Sequence, residues 1–405
     1  MKKEATTVRY RLASLDILRG LDLWLLLMIG PVLHKMMSCG YFEGCGWLHT
    51  QLSHVSWEGF ALWDIIMPLF MFMSGITIPF SLAMYGKSDS TISSQAQGGR
   101  VKPGKSFYLK LIRRFCLLFF FGWIVQGNLL ALDFKLFHPF ANTLQAIAVG
   151  YVASALMFVH LRPKGQIILT AGLFLAYLLA FVLTDMNLDP QSNIAMLTDK
   201  FILGCHRDGV NWIAESNMAG SKIAGGDMAG ISWSYNEGYQ YTWILSSLNF
   251  IVTVMLGCFA GEIIRSKGDR ATGRKAMILA GTGAALIAGA LIMEPFFPII
   301  KKIWSTSMTL YSGGICFLLI ALTYYLVDVK GWGGEMRWIK YFGMNSIAAY
   351  VIAHVCNFSS LTSGLLFGFE HLTGNIYPVI LVIAKVSILF LIMRYLYNNK
   401  IFLKV

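Results

Sequence analysis

Residues 57–83 read WEGFALWDIIMPLFMFMSGITIPFSLA, and beyond Glu58 the run holds a single charged side chain, Asp64. About 20 apolar residues in a helix cross the roughly 30 Å of a bilayer's hydrocarbon, so this stretch reads as a membrane span. Nine more runs of similar character follow from the same scan: 15–37, 107–128, 139–161, 166–185, 241–265, 275–293, 306–327, 339–357 and 376–398. The fold class is therefore all-α, a polytopic transmembrane helix bundle of about ten spans. Composition agrees. Of the 405 residues, 56% are hydrophobic and 13% charged, against about 45–50% and 25% in soluble domains, which excludes a soluble globule; disorder needs the opposite bias.

Charge places the loops. Net charge is +12, which in a soluble chain would suggest nucleic acid. Here, with both termini assigned to the cytoplasm, 25 of the 33 Lys and Arg fall on inner segments, seven on outer ones and Lys385 inside the last span. That is the positive-inside pattern, so the partner of the basic excess is the lipid bilayer and no nucleic acid is implied. The first span is longer than a signal-peptide core and lacks a small-residue cleavage site, so it is expected to remain in the mature protein. No internal repeat is visible. The chain reads as one transmembrane domain, 1–405, with an extracytoplasmic loop at 186–240 whose Gly-rich 218–230 stretch, with Trp233, Tyr235 and Tyr239, reads either as a lid or aromatic sugar platform or as interfacial anchoring. Seven Cys without a CxxC pair give no metal framework. Cys39 and Cys45 lie in an outer loop where a short disulfide or a free pair would each fit.

Ionisable groups in hydrocarbon cost roughly 2.5–3.5 kcal/mol each on insertion scales and call for a pair, a cavity or a pathway. Asp22 stands three residues from Arg19, a spacing that favours a neutralising pair on one helix face. Asp64 has a proline four residues on. Pro68 has no N–H and is expected to interrupt the span and free the Asp64 carbonyl, with Ser53 or Ser56 capping the helix; a binding site and a kinked helix with a locally paired Asp are both compatible. His54 precedes this helix at the outer surface. Its imidazole suits proton transfer or transient acyl attachment; His34 and His49 lie nearby at spacings that fit no recognised metal signature, so no metal is assigned. Ten residues separate His54 from Asp64, about 15 Å if both are helical, so the two are expected in different parts of one cavity unless the loop folds back. Gln145, Asn142, Ser246, Ser247, Asn249, Asn345, Ser346 and His354 are polar within other spans and serve either helix packing or a polar cleft. Lys105, Lys110, Arg113 and Arg114 form an inner cluster for phosphate groups or anionic lipid.

The chain resembles a known family at several ordered motifs: Ser14-Leu-Asp16-Ile-Leu-Arg19-Gly20, then His54-x2-Trp57-x-Gly59-x4-Asp64-x3-Pro68, Leu144-Gln145, Ile244 to Asn249, Trp304-Ser305-x-Ser307, Gly343-Met-Asn345-Ser346 and Lys400-Ile-Phe. These are similar to the membrane acyltransferases related to heparan-alpha-glucosaminide N-acetyltransferase, especially their bacterial members, and the likeness spans nearly the whole chain. The resemblance implies transfer of acetyl from cytosolic acetyl-CoA to an amino sugar or glycan acceptor on the extracytoplasmic side. It makes His54 the active histidine and gives Asp64 a supporting role. Lys110, Arg113, Arg114, Gln145, Asn345 and Ser346 are the candidates for contact with the acetyl-CoA co-substrate, and Trp57, Glu58, Trp304 and Ser305 for contact with the acceptor. It also implies residence in the bacterial inner membrane, and a homodimer is a candidate assembly. Gly30, Glu58 and Ala146 depart from the animal members, which carry Asn, Asn and Arg there. The competing function is a proton-coupled transporter or lipid-linked sugar translocator that uses Asp64 and His54 as a relay.

Overall fold

The computed structural model describes residues 12–42, 44–88, 104–127, 129, 137–215, 232–237, 241–266, 272–334 and 336–403. Its helices in chain order are α1 (Ala13–Trp24), α2 (Gly30–Ser38), α3 (Gly46–Leu52), α4 (Ile66–Ser88), α5 (Lys105–Gln126), α6 (Thr143–His160), α7 (Pro163–Val182) and α8 (Ile194–Leu203). After a strand pair come α9 (Ser247–Arg265), α10 (Gly273–Met293), α11 (Thr306–Tyr324), α12 (Arg337–Gly343), α13 (Ser346–Val355), α14 (Phe358–Leu366), α15 (Glu370–Thr373) and α16 (Tyr377–Asn398). A π-helical turn, Leu25–Ile29, joins α1 to α2, and another, Tyr325–Val329, ends α11.

Eight helical segments among the described residues are long and apolar enough to cross a membrane, and the chain is a multi-pass membrane protein. The α5 helix has the length, at 22 residues, but carries Lys105, Lys110, Arg113 and Arg114. The stretch expected as a span at 339–357 is divided, because α12 stops at Gly343 and α13 restarts at Ser346. The 186–240 loop is partly structured: it contains α8 and an antiparallel pair, β1 (Val210–Glu215) with β2 (Ser232–Glu237), registered Val210 to Glu237 and Glu215 to Ser232. This small ribbon is the one departure from an all-helical fold among the described residues. The Gly-rich stretch 218–230 and Tyr239 lie outside the described residues.

The chain divides into two compact units, one of 1–52, 262–286 and 314–404, the other of 53–261 and 287–313. Each is built on a close helix crossing. In the second unit a side chain at Gly75 of α4 would overlap the carbonyl of Val254 on α9, and one at Gly257 the carbonyl of Phe72. Small residues let two backbones approach in this way where lipid offers no hydrophobic drive for association. In the first unit Gly20 of α1 and Gly343 of α12 play the same part, meeting Ile339 and the carbonyl of Asp16. Two of the motif glycines noted in the sequence are thus explained by packing.

Asp22, buried on α1, does not form the hydrogen-bonded pair with Arg19 that their spacing suggested: neither of its oxygens has a hydrogen-bond partner among the described residues. Cys39 and Cys45 are free thiols.

Candidate functional site

The second unit gathers several connections at one end. Residues 53–61 run without regular helix between α3 and a short 3-10 turn, Leu62–Ile65, that opens α4. Gly59, at φ +112, bends this segment so that its N–H donates to the Ile299 carbonyl at 2.8 Å, beside an antiparallel bridge between Glu58 and Ile300. The partner segment, 294–305, is itself fixed on several sides. Tyr177 of α7 donates its hydroxyl proton to the Ile303 carbonyl, Ser246 donates to the same oxygen at 2.9 Å, and Asn249 Nδ2 donates to the Trp304 carbonyl at 2.8 Å. Trp304 holds a positive φ of 53°, a conformation that costs a bulky residue of order 1–3 kcal/mol and survives only where the surroundings impose it.

The two pinned segments bring three ionisable side chains together. His54 Nδ1 lies 2.7 Å from Asp64 Oδ1, and Lys301 Nζ lies 3.1 Å from the same oxygen and 3.2 Å from His54 Nδ1. The second Asp64 oxygen accepts from the Ala61 N–H at 3.0 Å. The side chains of Asp64 and Lys301 are 2% and 10% exposed, while that of His54 is 47% exposed. So the ion pair is sealed and the imidazole opens outward. Burial pushes the Lys301 ammonium below its ordinary range, and the facing Asp64 carboxylate partly restores it. Tyr241, whose ring lies 5.8 Å from Lys301 Nζ, is pushed up by burial and by the charges of Asp64 and Asp208.

This geometry corrects the expectation that His54 and Asp64 occupy different depths. The 15 Å separation assumed helix between them; the chain instead folds back through Gly59, and they touch. The cap also differs. Neither serine but Asp64 itself closes the start of the helix, by reaching back to Ala61. Pro68 falls in the first turn of α4, where proline is tolerated, and does not interrupt the span. Pro79 is the proline inside the helix.

The other residues singled out from the sequence fall in several places. Trp57 packs against the cluster of Tyr177, Phe181, Phe297 and Ile300, and Glu58 is exposed beside it. Trp304 is buried, its indole N–H donating to Thr253 Oγ1 at 3.2 Å. Ser305 is also buried; it caps α11 by accepting from the Met308 N–H at 3.2 Å and accepts from the Ile300 N–H at 3.0 Å. Both residues shape the turn that carries Lys301 and present no exposed surface to an acceptor. Gln145 is buried at the start of α6, where its Oε1 accepts from the Ala141 N–H at 2.9 Å and its Nε2 has no hydrogen-bond partner among the described residues. Arg114 lies 3.8 Å over the Tyr151 ring, with Lys110 and Arg113 exposed on the same helix. Asn345 and Ser346 belong to the first unit, where both ends of the Asn345 amide are used on the C-terminal segment, Nδ2 donating to the Ile401 carbonyl at 2.9 Å and Oδ1 accepting from the Leu403 N–H at 3.1 Å.

Sequence reasoning missed Lys301. In the sequence it is one of two adjacent lysines in an outer connection, and nothing local distinguishes it from an exposed cation. The available signal was its place just before Trp304-Ser305, a motif already noted.

Over 180 residues the chain is 31% identical to human heparan-alpha-glucosaminide N-acetyltransferase, a match covering 41% of this chain and 25% of that protein. Over 122 residues it is 33% identical to the mouse protein of the same name, covering 28% of this chain and 18% of the relative. No family model matches the chain. The chain thus matches a quarter or less of the length of these curated relatives. The chain is thus similar, over these stretches, to part of heparan-alpha-glucosaminide N-acetyltransferase.

Proposed function

We propose that the protein transfers acetyl from acetyl-CoA at the cytoplasmic face to the amino group of a sugar or glycan at the opposite face, with His54 as the reacting group. The observation that carries this reading is the outward-facing imidazole backed by a sealed Asp64–Lys301 pair. A carboxylate has no proton to donate, so the short His54–Asp64 bond places the proton on Nδ1 and leaves the Nε2 lone pair for chemistry. Lys301 Nζ, 3.2 Å from the same Nδ1, shares the Asp64 carboxylate with the ring.

Two routes use the same atom. In one, Nε2 attacks the thioester carbonyl, the carbon–sulfur bond breaks, and CoA leaves as thiolate; the acceptor amine then displaces imidazole from the acetyl carbon, its proton passing to solvent or to Nε2. In the other, the neutral acceptor amine attacks the thioester carbonyl directly, Nε2 takes the proton that its nitrogen sheds, and the carbon–sulfur bond breaks with CoA leaving as thiolate. An acetylimidazolium beside Lys301 would be short-lived, which suits a transfer intermediate.

The basic cluster on α5 supports a two-sided reaction. Trp123 of this helix donates to the Pro139 carbonyl at 3.1 Å, at the end where Phe140 meets Trp243. Lys110 lies 13 residues earlier, about 20 Å away at 1.5 Å per residue. Cations that suit the CoA phosphates therefore lie about 20 Å along α5 from its Trp123 end.

The test is purified protein in liposomes with labelled acetyl-CoA on one side and glucosamine on the other. Acetylated sugar that forms only with both present, and only with His54 intact, is the expected result. Sugar that accumulates in the vesicles without consuming thioester would replace this reading with transport.

A further inference from the structure

The first unit contains a cavity of about 200 Å³ that the acyl-transfer reading does not use, lined by Leu26, Leu27, Phe358 and Leu389 together with His354 and Lys385. Its wall includes the π-helical turn Leu25–Ile29, followed by Pro31, which has no N–H to continue the helical ladder. Such turns widen a helix locally and recur at binding sites.

Lys385 is the anomaly. It stands eight residues into α16, about 12 Å from the helix start at 1.5 Å per residue, within the apolar segment Phe358–Asn398. No acidic side chain lines the cavity, and among the described residues Lys385 has no salt bridge. An ammonium in hydrocarbon without a counter-charge is costly, and its usual resolution is a partner or a bound anion. His354 supplies a second polar contact: its Nδ1 bonds the Tyr350 carbonyl at 2.7 Å. That bond requires the proton on Nδ1 and leaves Nε2 for another group.

We propose that this cavity binds an anionic phospholipid, with the lipid phosphate on Lys385, a headgroup hydroxyl or water on His354 Nε2, and an acyl chain along Leu26, Leu27 and Leu389. Charge complementarity selects an anion, and the otherwise apolar lining inside a membrane-spanning unit selects one that carries hydrocarbon. Side chains in a helix lean toward its start, which for a lysine at this place in α16 is the direction of headgroup depth.

The test uses the full chain in nanodiscs of phosphatidylcholine containing a minor fraction of phosphatidylglycerol, followed by native mass spectrometry under activation that strips bulk lipid. Wild type is expected to retain one phosphatidylglycerol. Lys385→Met should lower that occupancy at least tenfold, and Lys385→Arg should preserve it. Lys385→Gln, which keeps length and polarity, is the second neutral variant should the methionine variant not fold; melting in pure phosphatidylcholine reports folding independently of the anionic lipid. Equal retention in wild type and the neutral variants overturns the proposal, as does equal retention of phosphatidylcholine, or retention of added oleate in place of phosphatidylglycerol.

Discussion

Two buried aspartates within apolar segments have opposite surroundings. Asp64 opens a helix, and its oxygens meet His54, Lys301 and the Ala61 N–H. Asp22 lies inside α1, equally buried, and among the described residues its oxygens meet no hydrogen-bond donor. The difference is positional. At a helix start the preceding backbone N–H groups are free and the irregular chain leading in can fold back with a side chain. In a helix interior every N–H is already used by the turn before it, so a carboxylate there depends wholly on other helices. Burial of an acid therefore does not by itself bring partners to it; burial at a junction between pinned connections does.

Four measurements can break or sharpen this contrast. His54→Ala should reduce acetyl transfer by about a thousandfold or more, the scale for loss of a nucleophile or general base, while the melting temperature stays near wild type because the imidazole is half exposed. Full turnover by this variant would remove the proposed chemistry.

Substituting each aspartate by leucine compares the two sites directly. Asp64→Leu strands the buried Lys301 ammonium and should cost about 3–5 kcal/mol, the range for breaking a buried pair, with loss of activity. Asp22→Leu removes an unsatisfied group and should be neutral or stabilising by the same reasoning. Equal destabilisation in thermal unfolding would mean that Asp22 has a partner of comparable worth.

Asn345→Ala separates a structural from a cofactor role for a residue the sequence offered for acetyl-CoA. It removes two hydrogen bonds to the C-terminal segment and should cost about 1–3 kcal/mol, with the KM for acetyl-CoA unchanged in the folded fraction. A raised KM with unchanged stability would restore the cofactor assignment.

The smallest effect concerns pH. Burial raises the Asp199 and Asp208 carboxyls each to about 6, although Asp199 accepts from the Trp243 and Ile244 N–H groups and Asp208 from the Trp243 indole. The folded state then binds more protons than the unfolded chain between about pH 4 and 6. Their contribution to stability is fully present below the unfolded pKa and is lost as pH rises through 6. Lowering the pH from 7 to 5 should raise the melting temperature by a few degrees, and Asp208→Asn should flatten part of that slope. A slope unchanged in the variant would assign the effect to other groups.

The sequence was enough for the class of this protein and most of its spans, because hydropathy adds up along the chain and each apolar run reports its own fate. It also pointed to His54 and Asp64, since ionisable groups are rare enough in such runs to be noticed singly. It misread their relation, because distance along a presumed helix fails wherever the helix has not begun: Gly59 bends residues 53–61, so the two side chains meet. The divided stretch around Asn345 was illegible for a similar reason, as two short helices have the same composition as one long one. The third member of the candidate site emerged from the packing. Lys301 reaches His54 across 247 positions, through a turn held by Tyr177, Ser246 and Asn249, and no local pattern encodes that meeting. Its capture there is a property of packed connections: whether a buried charge finds its counterpart depends on which distant segments converge on it.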